Sequence, residues 1–514
     1  NSTQAVTAAP TTSRWTETMA PTDNPHEPFG IDYAPAPEST AVVNIAKTYG
    51  HFINGDFVEP SSGATFPTVN PATETHLANI ADGSAEDVDR AVAAARAAFE
   101  GPWGQMPGSE RGKYLFRIAR QLQERSREFA VLETMDGGKP IKESRDLDLP
   151  LSAAWFFYYA GWADKLEYAF PNRSVAPHGV AGQIVPWNFP LMMAAWKLAP
   201  ALAAGNTVVL KPAETTPLTA LLLADVLQNI DLPPGVVNIV TGAGATGAAI
   251  VDHRGIDKLA FTGSTEVGKA IQRAASARRI PLTLELGGKA AHIVFEDSAI
   301  DQAVEGVVTG IYSNQGHVCC AGSRLLVEES IADSFVERLR RRISTLRLGD
   351  PLDKNTDVGA INSADQLQRI TDMVATGVSE GADLFQPECD LPDKGYWFPP
   401  SVFTGVQQSH TVAREEIFGP VLTVQTFRTA EEAVEKANNT PYGLSAGIWT
   451  EKGSKILWMT EKLRAGVVWA NTYNQFDPAS PFGGYKESGF GREGGMHGLA
   501  PYLHERADLT GGGA

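Results

Sequence analysis

Val236-Val237-Asn238-Ile239-Val240-Thr241-Gly242-Ala243-Gly244-Ala245-Thr246-Gly247 is a short apolar run closed by three spaced glycines. Residues 236–240 are mostly β-branched, which predicts a strand, and the glycines predict a tight turn into a short helix. The same cycle repeats on either side. Residues 207–210 read as a strand, Lys211-Pro212-Ala213-Glu214 as the turn after it, and Thr216-Pro217 as the cap of a helix through Ile230. Residues 258–261 are a strand, Gly263 a turn, and 266–277 a helix. Residues 282–286 are a strand ending in Gly287-Gly288. This alternation predicts an α/β fold with a parallel sheet of Rossmann type and ligands at the strand C-termini.

Gly242, Gly244 and Gly247 spell the dinucleotide fingerprint after a strand. The usual pattern then asks for an acidic residue at the end of the next strand. Here that strand runs into Phe261-Thr262-Gly263-Ser264, a second glycine turn. A nucleotide is still expected, but not in the ordinary Rossmann geometry. The helix after Gly263 offers free N–H groups to a pyrophosphate. The plainer alternative is that the glycines only permit tight turns.

Downstream, 324–327, 421–427 and 466–469 read as strands and 331–346 and 430–438 as helices, a second α/β domain. Upstream, residues 49–58 hold two apolar runs around Asn54-Gly55, a hairpin signal. Ser84 precedes Asp87 by three, a capping-box variant, and Val88, Val92, Ala95 and Phe99 recur at helical spacing. A second helix is expected from Ser109 to about Met135, and a third through Trp155-Phe156-Phe157-Tyr158-Tyr159, whose rings read as bundle core. Residues 1–40 are rich in Thr, Pro, Ala and Ser without periodicity and read as a flexible arm.

The 514 residues hold 43 Lys and Arg against 60 Asp and Glu, a net charge of −17. That balance argues against nucleic acid or an anionic membrane as partner. The apolar share of 43% excludes disorder and suits a large core. Residues 151–163 are too short to span a bilayer, and 190–210 carry Lys197 in their middle. No basic start followed by an apolar segment marks export, so the Asn172 and Asn438 glycosylation patterns read as chance. Three cysteines make no disulfide framework, and the adjacent Cys319 and Cys320 suggest thiol chemistry in a reducing compartment, the cytoplasm.

Asn314-Gln315-Gly316-His317-Val318-Cys319-Cys320-Ala321-Gly322-Ser323-Arg324 sets a cysteine before a strand, among small residues that leave it reachable. Its reactivity depends on how much thiolate its surroundings allow; a buried, inert thiol is the other reading. In Leu284-Glu285-Leu286-Gly287-Gly288-Lys289, a carboxylate at a strand end beside two glycines suits a mobile general base, or simply a surface or capping glutamate.

Together these stretches resemble the aldehyde dehydrogenase superfamily over about residues 50–500. Pro186-Trp187-Asn188-Phe189-Pro190, Lys211-Pro212-Ala213-Glu214, Phe261-Thr262-Gly263-Ser264-Thr265, Glu415-Glu416-Ile417-Phe418-Gly419-Pro420 and Ser480-Pro481-Phe482-Gly483-Gly484-Tyr485-Lys486 match its motifs in order. The resemblance implies that Cys319 attacks an aldehyde carbonyl and that the Asn188 amide and Cys319 N–H hold the oxyanion. It implies that hydride passes to NAD and that Glu285 activates the water that releases the acid. Lys197 and Glu493 match positions used in proton relay or in support of Glu285; a structural ion pair is the alternative. For NAD, it assigns Lys211 and Glu214 to the adenosine ribose, Trp187 and Ser264 to the pyrophosphate, and Glu416 and Phe418 to the nicotinamide ribose. Pro186, Gly244, Gly263 and Gly287 complete that surface. A carboxylate at the ribose disfavours NADP. No metal site is implied.

Positions matching the family's aldehyde tunnel are Phe189, Met193, Trp196, Asn471, Phe476 and Phe482, which implies uncharged aliphatic or aromatic aldehydes. His317 departs from the family's usual Gln or Glu; it reads as a packed residue or as a modulator of thiolate population near neutral pH. Residues 29–39 and 144–151 look like the family-sixteen branch. The implied division is an arm at 1–48, a cofactor domain at 49–157 and 179–287, and a catalytic domain at 288–484. An oligomerisation element at 158–178 and 485–514 completes it, with a protruding β segment around 166–178 paired to a C-terminal strand. A homodimer is expected first and a tetramer second. Coenzyme A acylation and a catalytically silent scaffold are the rival functions.

Overall fold

The computed structural model describes residues 34–506. Five parallel strands form the centre of the eight-stranded first sheet: Val180–Ile184, Thr207–Lys211, Val237–Ile239, Lys258–Thr262 and Leu282–Glu285. Their spatial order places Val180–Ile184 between Thr207–Lys211 and Lys258–Thr262. The chain thus works outward one way to residue 239 and the other way to residue 285. The reversal is a topological switch point, where the crossover helices part and leave a crevice. Register fixes what lines it: Ile184 is level with Lys211 and Phe261, and Thr262 with Glu285. The fingerprint stretch lies one strand further out. Its helix, Gly244–Asp252, already includes Gly244 and Gly247, so only Gly242 and Ala243 form the turn. Gly242 has φ 150°, and a Cβ there would fall 2.0 Å from the Thr246 hydroxyl.

A second sheet of seven strands runs in the order Asp383–Phe385, Ser401–Thr404, Val421–Phe427, Arg324–Glu328, Ala291–Val294, Ser445–Trp449, Val467–Ala470. All its pairs are parallel except that between the first two.

The capping box forms as expected: Ser84 and Asp87 cap Ala85–Glu100 reciprocally. The hairpin forms too, His51–Ile53 against Asp56–Val58, with Asn54 and Gly55 both at positive φ. The expected helix from 109 to 135 is two, Gly108–Glu124 and Ser126–Gly137. Arg125 breaks it at ψ 17°, where its guanidinium is held by Glu128 and Asp225. Thr216 does not cap the next helix, which is Leu218–Asn229. Asp136 Oδ2 reaches in from the neighbouring helix and accepts the Leu218 N–H at 2.9 Å, leaving the Thr216 hydroxyl without a partner.

Helix Leu149–Ala160 buries Trp155, Phe156 and Tyr159, so the aromatic run is largely core. Trp155 stacks on Trp196 with centroids 4.3 Å apart. Trp196 belongs to Pro190–Ala204, a helix buried on every side. An all-round apolar helix can only sit inside a large protein, and this one runs beneath the crevice.

Three boundaries shift. Residues 34–48 lie on the body rather than free: Pro37 bridges Asp353, Glu38 pairs with Arg127 and Lys354, and Thr48 and Tyr49 pair with Asn79 and Ile80. The arm's remaining residues, 1–33, lie outside the described ones. Within 166–178, Leu166–Ala169 is helical, and only Val175–Pro177 is strand, antiparallel to Leu503–Glu505. Gly489–Phe490, grouped above with the oligomerisation element, instead adds an antiparallel edge to Leu284-Glu285 in the first sheet.

Candidate active site

A cleft of about 1030 Å³ opens where the two sheets face each other. Cys319 is half-buried in it, on the turn that precedes Arg324–Glu328. The turn is reached through three left-handed residues, Asn314, Gln315 and Gly316, with φ of 47°, 53° and 74°. Glycine is required at the last: a Cβ would meet the Gly419 carbonyl oxygen at 2.0 Å. Beyond Cys319, the Cys320 carbonyl accepts from the Tyr473 hydroxyl at 2.8 Å and the Ser445 hydroxyl at 3.0 Å.

Asn188 is 6% exposed. Its Nδ2 donates to the His317 carbonyl at 2.8 Å, and its own carbonyl accepts from Asn314 Nδ2 at 2.8 Å. One hydrogen of an amide NH₂ is therefore committed and the other is free for a ligand. Glu285 also lines the cleft, and neither carboxyl oxygen has a protein partner. Burial and the neighbouring Glu493 push its pKa well above the usual carboxylate range. Lys197 lies beneath the lining and pairs with Glu493, both side chains at most 5% exposed. The Cys320 thiol beside it and burial likewise push Cys319 up. His317 is 1% exposed, and burial and Lys139 lower it to about 3. A neutral imidazole packed between Trp187 and Phe418 is thus found, not one that titrates near neutrality.

Of the cofactor positions, Pro186, Trp187, Gly263, Ser264, Gly287, Glu416 and Phe418 line the cleft. Lys211, Glu214 and Gly244 do not; they lie by the neighbouring strand ends, where Lys211 Nζ donates to Glu214 at 3.3 Å. Glu416 Oε1 accepts the Gly288 N–H at 2.9 Å, and a Cβ on Gly287 would strike its other oxygen at 2.1 Å. Burial raises Glu416 to about 7. Ser264 caps Thr265–Arg278, whose first N–H groups face the crevice rim. The buried hydroxyls of Thr262 and Thr265 have no protein partner. Free helix N–H groups, orphaned hydroxyls and a glycine where no side chain fits suit a dinucleotide.

Phe189, Met193, Trp196, Phe476 and Phe482 line the other end, Trp196 touching Phe476 and Phe482 edge-on. Asn471 does not join them. It stands at φ 52°, and its side chain is spent on the Thr450 N–H and carbonyl. Sequence reasoning missed Gln366 and Arg369, which line the cleft from helix Ala364–Ser379. Their side chains donate to the Phe418 and Glu416 carbonyls. Their i, i+3 spacing puts them on one helix face, a pattern too common to signal a site. Among the described residues, no cluster could hold a metal, and no helix is long and apolar enough to cross a membrane.

Comparison with known proteins agrees with this geometry. The model of the aldehyde dehydrogenase family matches residues 57–507. The chain is 46% identical to aldehyde dehydrogenase family 2 member B4, mitochondrial, of Arabidopsis thaliana, over 94% of this chain and 92% of that one. It is 48% identical to the mitochondrial aldehyde dehydrogenase of Homo sapiens, over 88% and 90%. The NAD+ complex of an aldehyde dehydrogenase from Bacillus cereus superposes with a TM-score of 0.87 at 43% identity, over 90% and 96%. With a family match across nearly the whole described fold and a cysteine, an amide and an unpartnered carboxyl in one cleft, the chain belongs to the aldehyde dehydrogenase family.

Proposed function

We propose that this protein oxidises uncharged aldehydes to carboxylic acids with Cys319 as nucleophile, Asn188 as oxyanion donor and Glu285 as general base. It is an NAD-dependent enzyme. The observation that carries the reading is the convergence of these three side chains on one cleft, with Glu285 free of any protein partner.

Cys319 Sγ, once deprotonated, adds to the aldehyde carbon. The oxygen then carries the charge and is held by the uncommitted Asn188 hydrogen and the Cys319 N–H. NAD, when bound, would supply the hydride acceptor; with hydride lost from that carbon, Cys319 is left carrying the acyl group as a thioester. Glu285 accepts a proton from water as the water oxygen attacks the thioester carbon; the C–S bond breaks and the acid leaves. The Lys197–Glu493 pair supports Glu285 by sharing that buried proton and its charge. Lys211 and Glu214 would hold the adenosine ribose, Trp187 and Ser264 the pyrophosphate, and Glu416 and Phe418 the nicotinamide ribose. Pro186, Gly244, Gly263 and Gly287 let the backbone come close to it.

The aromatic end of the cleft, from Phe189 to Phe482, supports aliphatic and aromatic substrates without charge. Glu285 at the cleft supports hydrolysis over transfer to coenzyme A. A homodimer, with a tetramer as second choice, is supported by the small sheet of Val175–Pro177 and Leu503–Glu505. Residues 144–151 support the family-sixteen branch, and three unpaired cysteines support a reducing compartment, the cytoplasm. Cys319→Ala tests the core of this reading: NADH formation is expected to vanish with every aldehyde while NAD still binds. Residual turnover in that variant, or an acyl-coenzyme A product from the wild type, refutes it.

A further inference from the structure

Glu143 stands in no motif and is not among the residues lining the cleft, yet it reaches the loop that carries the nucleophile. Its Oε2 accepts the Asn314 N–H at 2.8 Å, across 171 positions of sequence. Asn314 is the first of the three left-handed residues before the cysteine. Non-glycine residues hold that conformation only where their surroundings over-determine it. Two clamps do so here. On one side Gln315 accepts the Gly359 N–H at 3.1 Å and donates to the Ala360 carbonyl at 3.0 Å. On the other side stands Glu143.

What the clamped loop presents is the oxyanion donor. Asn314 Nδ2 donates to the Asn188 carbonyl, and the Asn188 amide donates to the His317 carbonyl, each at 2.8 Å. Asn188 is thus fixed at backbone and side chain by one loop. Behind Glu143 lies a buried group in which Lys139 pairs with Asp148 and Glu133 and stands 4.2 Å from the Phe189 ring centroid. The π-helical turn Ser144–Asp148 follows directly, a rare conformation found often at functional sites. Burial raises Glu143 to about 8, so near neutral pH a protonated carboxyl accepts the Asn314 N–H.

We propose that Glu143 is a positioning residue for the oxyanion hole, acting through Asn314 to aim the Asn188 amide at the substrate oxygen beside Cys319. It rests on the role of Asn188 proposed above.

The test is a double-mutant cycle in the full chain, with propanal as substrate, NADH absorbance for rates and tryptophan fluorescence for NAD binding. Misplacing a catalytic group costs up to about 10²-fold, so Glu143→Ala is expected to lower kcat/KM by about ten- to a hundredfold with NAD affinity unchanged. Glu143→Asp, too short to reach, is expected to fall with it while keeping a buried carboxyl. Glu143→Gln, whose amide oxygen can accept the same N–H, is expected to restore most of the rate. Added to Asn188→Ala, Glu143→Ala is expected to cost nothing more, because its effect passes through Asn188. Wild-type kcat/KM in Glu143→Asp or Glu143→Ala, no rescue by Gln, or losses that multiply in the double variant would each overturn the inference. Wild-type kcat/KM in Asn188→Ala would overturn the oxyanion assignment as well. A slow Asn188→Ala beside a fast Glu143→Ala would sink the Glu143 role alone.

Discussion

Replacing Glu285 by Gln changes little but its capacity to take a proton. The residue is 4% exposed, and both carboxyl oxygens lack protein partners. Burial and Glu493 raise its pKa well above normal, which favours the uncharged carboxyl. Gln is close to isosteric with that neutral acid. Stability is therefore expected to change by less than about 1 kcal/mol, in contrast to breaking a hydrogen-bonded group. The chemistry is expected to change far more. A positioned general base contributes about 10²- to 10⁴-fold, or roughly 2.7–5.4 kcal/mol of barrier. Nothing in that substitution touches Cys319 or Asn188, so addition and hydride transfer still occur. Stopped-flow absorbance should show a burst approaching one NADH per Cys319, followed by a steady state about 10²- to 10⁴-fold slower than wild type. Mass spectrometry of the quenched burst should find the acyl group on Cys319. Wild-type steady-state turnover would refute a base role for Glu285. Slow turnover without a burst would refute the assignment of that role to deacylation, since Glu285 would then be needed before hydride transfer.

Other outcomes follow from the same contacts. In the proposed mechanism Cys319 and Glu285 act as their deprotonated forms, and both are shifted upward, Cys319 by the Cys320 thiol and burial. The competent fraction therefore grows with pH, so kcat/KM through Cys319 and kcat through Glu285 should each keep rising past the groups' ordinary titration ranges; flat profiles contradict the shifts. Lys197→Met leaves Glu493 buried without its cation and should cost about 3–5 kcal/mol in denaturant unfolding. Adding Glu493→Leu should recover most of that, and a single variant as stable as wild type would show that the pair is not structural. Glu214→Ala removes one charge from the ribose site. At about 1 kcal/mol for an exposed charge, the NAD to NADP ratio of kcat/KM should fall about fivefold, and an unchanged ratio would exclude Glu214 from selectivity.

Four of the first sheet's five parallel strands were legible because each runs into a turn marked by Gly or Pro; Val180–Ile184 was not read. Lys211 to Glu214, Gly263-Ser264 and Gly287-Gly288 punctuate three strand ends, and all three turns carry expected site residues. In the second sheet the three-residue edge strand Asp383–Phe385 was not read, nor were the inner strands Ala291–Val294, Ser401–Thr404 and Ser445–Trp449. The inner strands are four or five residues long and buried on both faces, so they show no alternation to set them apart from helical core. The helix break at Arg125 and the cap on Leu218 were missed for another reason. Each depends on a side chain brought in from elsewhere, Asp225 for the first and Asp136 for the second.

Asn471 and Glu143 show the same limit at the site, in opposite directions. Asn471 matched a tunnel position by order in the chain, but a left-handed φ and two hydrogen bonds to Thr450 turn its amide into backbone support. Glu143 matched nothing and accepts the Asn314 N–H on the loop that holds Asn188. Residues that meet a ligand are constrained by chemistry to a few types beside glycine turns, which is what a motif records. Residues that satisfy a strained backbone need only an acceptor or a donor at the right point in space. Tyr473 and Ser445 also serve the backbone: both donate to the Cys320 carbonyl from positions 153 and 125 residues away. Held by those hydroxyls after the cysteine and by Glu143 and Gln315 before it, the Cys319 turn is fixed from both sides by side chains outside the proposed chemistry. That rigidity is what a free thiol and a half-committed amide require to meet one carbonyl group.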